Sequence, residues 1–254
     1  MLIAGESRVT IHQTSPDREK RTLVLLNLNE IEGITALHEK IPYDCADEVF
    51  VVDGGSTDGS REFFESHGIR VLSQRSAGRG EAFRMAVQEA SHDRILFYSH
   101  DGNEDPNDIP KLFEQLDAGA DMAIARRFGP GARNEEDDHL LRWRAWANRL
   151  FGMVANLLFN RGTYIHDTIN GFRAFKRSSF EKLGVDGPGF VIEFQSSIRA
   201  MKLGLDIREI PTCEGKRIGG ESTAHSIPTG LLFIRFLLKE IWSGKKFAKS
   251  EPHG

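Results

Sequence analysis

Short, nearly continuous apolar runs recur along the first half of the chain. Residues 21–28 (RTLVLLNL), 48–52 (EVFVV), 69–72 (IRVL), 94–98 (RILFY) and 121–125 (DMAIA) each have the length of a buried strand. Segments with helical spacing separate them, at residues 30–41, 60–67, 81–90 and 107–116. Strands alternating with helices predict an α/β fold with a mostly parallel sheet covered on both faces. Beyond residue 125 the pattern changes. Residues 126–138 are rich in Gly, Arg and acid and read as a loop. Residues 140–159 read as a long helix, with Leu141, Trp143, Trp146, Leu150 and Val154 among its apolar positions. A strand at 171–175, a helix at 192–203, a strand at 207–210 and an amphipathic helix at 227–247 complete the pattern. There is no internal repeat and no low-complexity tract. The expected division is a polar tail over 1–20, one domain over 21–226, and a helix with its tail over 227–254.

The 254 residues are 39% hydrophobic, enough for one sizeable core. With 28% charged residues and a net charge of -4, a globally basic nucleic-acid binder is excluded, although local basic clusters remain. The two cysteines, Cys45 and Cys213, have no metal-type spacing and no disulfide framework, which predicts a reducing, cytosolic compartment. Residues 1–20 are polar and mixed in charge, without the apolar core of a signal peptide. The longest apolar stretch, residues 230–242, is interrupted by Arg235, Lys239 and Glu240 and is too short to span a bilayer.

The polar residues with chemical potential gather just after the strands. In an open α/β sheet the ligand crevice lies at the carboxyl ends of the strands. Asp53-Gly54-Gly55-Ser56-Thr57-Asp58-Gly59-Ser60 follows the second strand. Its glycines allow close backbone approach, Asp53 can accept from a base or ribose, and Asp58 can cap the next helix; an ordinary turn with an Asx cap is the alternative. The G-x-G-x-x-G spacing of a dinucleotide site is missing. Ser99-His100-Asp101-Gly102-Asn103-Glu104-Asp105-Pro106 follows the fourth strand. Its oxygen-rich side chains suit Mg²⁺ or Mn²⁺, with Asp101 nearest the strand end, while Asp105 caps the turn opened by Pro106.

With these loops in view, a resemblance emerges. Leu28-Asn29-Glu30, the segment from Val52 to Gly59, Gly78-Arg79-Gly80-Glu81-Ala82 and the Asp101 loop occur in the order seen in family 2 glycosyltransferases. Asp167-Thr168-Ile169-Asn170-Gly171-Phe172-Arg173 resembles the D-x-x-x-G-F-R segment of the polyprenyl-phosphate sugar transferases, the dolichol-phosphate mannose synthase group. The resemblance spans residues 23–223. It implies a GT-A type fold and transfer of a hexose from a nucleotide diphosphate sugar to a polyprenyl phosphate, with inversion. It implies a donor held by Asn29, Glu30, Asp53, Gly78, Arg79, Asp101 and Asn103, and Mg²⁺ or Mn²⁺ held by Asp101. The sequence departs from the pattern twice. Ser99 stands at the first acid of the D-x-D motif, and Gly54 stands at the second acid of D-D-G-S.

Arginines supply the other half of a diphosphate site, because the guanidinium fork binds phosphate bidentately. Arg126 and Arg127 follow the fifth strand, Arg133, Arg142, Arg144 and Arg149 come soon after, and Lys216 and Arg217 precede Gly219-Gly220-Glu221-Ser222. Arg127 and Arg173, in strand-end contexts, are expected to handle phosphate; Arg142 and Arg149 read as the solvated face of a helix. By resemblance Arg127, Arg144 and Asn148 hold the acceptor phosphate. Glu193 is either a general base for a hydroxyl acceptor or a helix N-terminal acid favoured by the dipole. His100, His166 and His225 form no nucleophile triad. Residues 227–247 combine Leu231, Leu232, Ile234, Leu237, Leu238, Ile241 and Trp242 with Arg235, Lys239, Lys245, Lys246 and Lys249. Such a helix lies on an anionic membrane surface, or packs on the domain or on a second copy. The expected protein is thus a cytoplasmic, peripheral membrane transferase with no nucleic-acid partner and with a homo-oligomer left open. The alternatives are the same donor with a sugar or protein-linked hydroxyl acceptor, and a non-catalytic nucleotide-binding module.

Overall fold

The computed structural model describes residues 18–138, 143–219 and 226–247. Leu140, Leu141, Arg142, Gly220, Glu221, Ser222, His225 and Lys249 lie outside the described residues. Each apolar run becomes a strand: β1 (Arg21–Asn27), β2 (Glu48–Asp53), β3 (Arg70–Ser73), β4 (Arg94–Ser99), β5 (Met122–Arg126), β6 (Arg173–Lys176) and β7 (Ile207–Pro211). They form one sheet in the order β3-β2-β1-β4-β6-β5-β7. The β1–β2, β1–β4, β2–β3 and β5–β7 pairings are parallel, and β6 runs antiparallel to both its neighbours. The sheet is therefore mostly parallel, as its apolar runs imply.

Strand alternation sorts the core into two layers. On β1, Leu23 and Leu25 face a layer with Ile34 of α1 (Ile31–Leu37), Phe64 of α2 (Ser60–Ser66) and Leu112, Phe113 and Leu116 of α4 (Ile109–Asp117). Val24 and Leu26 face the other layer. It holds Phe83 of α3 (Arg79–Glu89), Phe180 of α6 (Arg177–Leu183), and Phe194 and Ile198 of α7 (Val191–Leu203). α5 (Trp143–Phe159) and α8 (Ser226–Ser243) complete that layer through Ala155, Phe233 and Phe236. Helix α6 has no counterpart in the sequence reading.

α8 is docked on α7 by charge as well as by apolar burial. Glu240 is 0% exposed. It accepts from Arg199 Nε at 2.9 Å, Lys202 Nζ at 2.7 Å and Gln195 Nε2 at 3.1 Å. The bonds to these buried donors hold its carboxyl below the usual range, against the opposing pull of burial. Among the described residues no helix is long and apolar enough to cross a membrane.

Candidate functional site

A cavity of about 540 Å³ opens along the carboxyl ends of the strands. One end is formed where β1, β2 and β3 finish, by Leu28, Gly54 and Gln74. The middle carries Glu30, Arg79, Asp101, Glu104, Glu193 and Arg217. The other end lies against α5 and α8, at Trp143, Arg144, Asn148, Phe151 and Phe233.

The middle is a lattice of opposed charges. Arg217 donates to Glu30 and, at 3.0 Å, to Asp101 Oδ2, while Asp101 Oδ1 accepts from Asn103 N at 3.1 Å. The segment carrying Arg217 is strapped over the Asp101 loop by Gly215 N to Asn103 O (3.0 Å) and Ile218 N to Asp101 O (2.7 Å). Arg79 Nε donates to Glu193, and its Nη1 to Ser99 Oγ at 3.2 Å. Burial raises the carboxyl of Glu30 to about 7, against the opposing charge of Arg217. Burial, reinforced by Asp101, raises Glu104 to about 8. Glu193 is also raised by burial, against the pull of Arg79 and Arg173.

The D-x-x-x-G-F-R segment acquires a physical explanation. A Cβ on Gly171 would lie 2.0 Å from Arg79 Nη2, so only glycine lets that guanidinium lie flat across the motif. Phe172 is core. Arg173, expected to handle phosphate, is 0% exposed and does not line the cavity. It donates to the carbonyls of Thr168, Asn170 and Glu193 and to the hydroxyls of Ser196 (3.0 Å) and Ser197 (3.1 Å). Desolvation lowers it to about 10, opposed by Glu193 and Asp167. It is a structural anchor between β6 and α7.

Two further expectations need correction. Asp53 is 2% exposed, and its carboxylate is spent on Asn27 Nδ2, Gly55 N, Ser56 N and Ser56 Oγ, so it closes its own turn. Asn29, at φ 54°, accepts from Thr57 N at 2.8 Å and ties the β1 loop to the β2 loop. Neither lines the cavity. Asp58 caps α1 as well as turning into α2, accepting from Ile31 N at 2.9 Å and Ser60 N at 3.0 Å. Asp105 accepts from Asn107 N at 3.0 Å and caps its turn as expected.

Glu30, Gly78, Arg79, Asp101, Asn103, Arg127, Arg144, Asn148 and Glu193 are brought together in the cavity wall. Arg127, however, lends its fork to Asp167, at 2.8 and 3.2 Å, and Nη1 to Glu214 at 3.3 Å. Burial alone would lower its pKa, yet these two carboxylates raise it. Arg144 is less committed, 3.7 Å from both Glu135 and Glu136 and partly exposed. Arg126 donates to the carbonyls of Phe128 and Pro130 and shapes its loop. Glu214 was not singled out from sequence; its position just past the end of β7 was the available signal.

Among the described residues no three His, Cys, Asp or Glu side chains converge on a metal position. The Arg217 guanidinium, lying between Asp101 and Glu30, stands where the site requires positive charge. Both carboxylates, Asp101 and Glu30, are paired with that guanidinium.

The model of the family described as "Glycosyl transferase family 2" matches residues 28–184. The chain is 32% identical over 199 residues to glycosyltransferase AglJ of Haloferax volcanii, covering 77% of this chain and 63% of that protein. It is 28% identical over 225 residues to polyprenol monophosphomannose synthase of Mycolicibacterium smegmatis, covering 82% of this chain and 80% of that one. Among solved structures, glucosyl-3-phosphoglycerate synthase from Mycobacterium tuberculosis, in complex with Mn²⁺ and UDP-glucose, superposes with a TM-score of 0.64. That match has 21% identity over 92% of this chain and 81% of the other, and it shows the GT-A fold.

Proposed function

Because the chain belongs to glycosyl transferase family 2, we propose that it moves a hexose from a nucleotide diphosphate sugar to a polyprenyl phosphate. The observation that carries this reading is the order of groups along the cavity. An uncharged end at Leu28, Gly54 and Gln74 suits a nucleoside. The charged middle suits a diphosphate. The far end offers Arg144 and Asn148 beside Trp143, Phe151 and Phe233, which suits a phosphate carrying an apolar chain. Polyprenol monophosphomannose synthase and the dolichyl-phosphate hexose transferase of Haloferax volcanii, by their names, act on such acceptors.

In this reading an acceptor phosphate oxygen attacks the anomeric carbon as its bond to the donor diphosphate breaks, with inversion. The nucleoside diphosphate leaves. A phosphate is already ionised near neutral pH, so positioning and neutralisation carry the rate. Arg217 and Arg79 face the leaving diphosphate. Arg127, held by Asp167 and Glu214, shapes the wall near Arg144 and Asn148. A divalent cation, which the solved neighbour carries, would be held by Asp101 and would supply further charge neutralisation.

The outward faces of α5 and α8 support a membrane-borne acceptor. Trp143, Trp146, Leu150, Met153 and Leu157 form an exposed stripe on α5; Leu231, Ile234, Leu238, Ile241 and Trp242 form another on α8. We read the protein as peripheral at the cytoplasmic face of a membrane.

A hydroxyl acceptor is the second reading, favoured by one observation: Glu193 is buried, raised and in the cavity wall. Transfer assays with polyprenyl phosphate and with sugar hydroxyl acceptors, run on the wild type and on Glu193→Gln, decide between them. Phosphate-acceptor activity that survives Glu193→Gln supports the proposal. Activity confined to hydroxyl acceptors and abolished by that change overturns it.

A further inference from the structure

Where β1, β2 and β3 finish, one cavity-lining side chain is oriented by its hydrogen bonds. Gln74 N donates to Asp53 O at 2.9 Å, extending the β2–β3 pairing by one residue. Its side-chain Nε2 donates to Gly78 O at 2.9 Å. A carbonyl can only accept, so the amide nitrogen must face Gly78 and Oε1 is left on the other side. Oε1 faces Gly54. A Cβ on Gly54 would lie 2.8 Å from it and 3.3 Å from Leu28 Cδ1. The glycine at this position, where the resembling pattern has an acid, is therefore what leaves room around the amide oxygen. Gly54, Gln74 and Leu28 all line the cavity. Asp53, the neighbouring carboxylate, is turned away into its own loop.

We propose that Gln74 Oε1 reads the nucleobase of the donor, accepting a hydrogen bond from a ring N–H on the base edge, with Leu28 as the apolar surface beside it. The proposal rests on the nucleotide-sugar reading and adds a residue that sets its specificity. With one N–H of its nitrogen committed to Gly78, the amide turns its accepting Oε1 toward Gly54. It matches the ring N–H that uracil and guanine share. The corresponding ring nitrogens of cytosine and adenine are acceptors and would face it oxygen to lone pair.

Gln74 also holds the loop that carries Arg79, so the test must separate base reading from loop support. Calorimetry on the full chain, in a fixed concentration of MnCl₂, compares UDP, GDP, CDP, ADP and inorganic pyrophosphate. The wild type is expected to bind UDP or GDP at least about tenfold more tightly than CDP and ADP. Gln74→Ala should remove about tenfold of that affinity and flatten the preference, leaving pyrophosphate binding within about twofold. Gly54→Ala should do the same by displacing Oε1 while the Gly78 anchor remains, and the double variant should lose no more than Gln74→Ala alone. A loss of pyrophosphate binding equal to the nucleotide loss, an unchanged preference in both variants, or a wild-type preference for CDP or ADP overturns the proposal. A folded wild type that binds none of the four nucleotides would overturn the nucleotide-sugar reading itself, which is a different result.

Discussion

Arg217 Nη1 lies 3.0 Å from Asp101 Oδ2, and the other guanidinium nitrogen bonds Glu30, so one arginine bridges two loops of the cavity from 116 and 187 positions away. A diphosphate entering the cavity meets this cation already paired. The same guanidinium can turn its donors from the carboxylates to phosphate oxygens without a change of charge. Arg217→Lys keeps the charge and loses the fork. We expect donor binding to weaken by about tenfold or more in calorimetry, with the melting temperature nearly unchanged. Wild-type donor affinity in this variant would remove Arg217 from the diphosphate site.

Asp101 is the carboxylate on which the Ser99–Pro106 loop, Arg217 and the cavity wall converge. Asp101→Ala is expected to abolish transfer and to weaken donor binding in the presence of Mn²⁺, with an unaltered circular dichroism spectrum. A folded Asp101→Ala protein with wild-type turnover would refute the assignment.

Arg173 makes the opposite prediction. Its removal takes the guanidinium donor from two buried hydroxyls and from the Asn170 carbonyl, while the Thr168 and Glu193 carbonyls keep the Ser196 and Ser197 hydroxyls. Arg173→Met should cost at least about 3 kcal/mol, read as a fall in melting temperature of roughly 6 °C or more. Gly171→Ala should show the reverse pattern. The added methyl displaces the Arg79 guanidinium, so the rate falls while the melting temperature holds.

Those two neighbours show what the sequence makes legible. The strands are visible because a parallel sheet buried on both faces demands continuous apolar runs, and the ligand loops are visible because they follow those runs. The seven-residue α6 follows β6 directly, with no loop between them to mark its start. The antiparallel β6 depends on which strands become its neighbours. The site pairs are hidden for a related reason: Arg79 meets Glu193 across 114 positions and Arg127 meets Glu214 across 87. Spacing along the chain places each residue near a strand end. It does not tell which arginine faces the cavity and which, like Arg173, faces a helix.

Glu104 gives a pH-dependent prediction. Its carboxyl is raised from 4.5 to about 8 by burial and by Asp101. The folded state therefore binds more protons than the unfolded state, and the group costs stability as pH rises from about 4.5 to about 8. The full cost is on the order of 5 kcal/mol at 1.36 kcal/mol per unit. Glu104→Gln keeps an acceptor for Ser99 N, which donates to Glu104 at 2.7 Å. Its melting temperature should exceed that of the wild type at pH 9 and approach it at pH 5. Parallel melting curves for the two proteins across that range would count against a buried, raised carboxyl.

The outward stripes of α5 and α8 carry the last prediction. Deleting α8 is a poor test of membrane attachment, because its inner face is part of the core. Phe233, Phe236 and Glu240 are buried, and Arg199 and Lys202 would be left without their carboxylate. The outer face can be changed alone. Trp242 is 86% exposed and Leu157 82% exposed, and Leu231, Ile234, Leu238 and Ile241 follow one another at helical spacing on the same side as Trp242. Arg235, Lys245 and Lys246 supply exposed positive charge on or just beyond α8. Replacing Trp146, Leu238 and Trp242 together with Gln should leave the melting temperature intact. Co-sedimentation with vesicles containing anionic lipid should fall several-fold, and added salt should weaken what remains by screening the basic residues. Activity on a long-chain polyprenyl phosphate should fall with it, while a short, water-soluble phosphate acceptor is used as before, because the cavity is untouched. Equal vesicle binding by both proteins, or none by either at low salt, would assign the stripes to contact with a second copy, and sedimentation of the variant as a smaller species would show it directly.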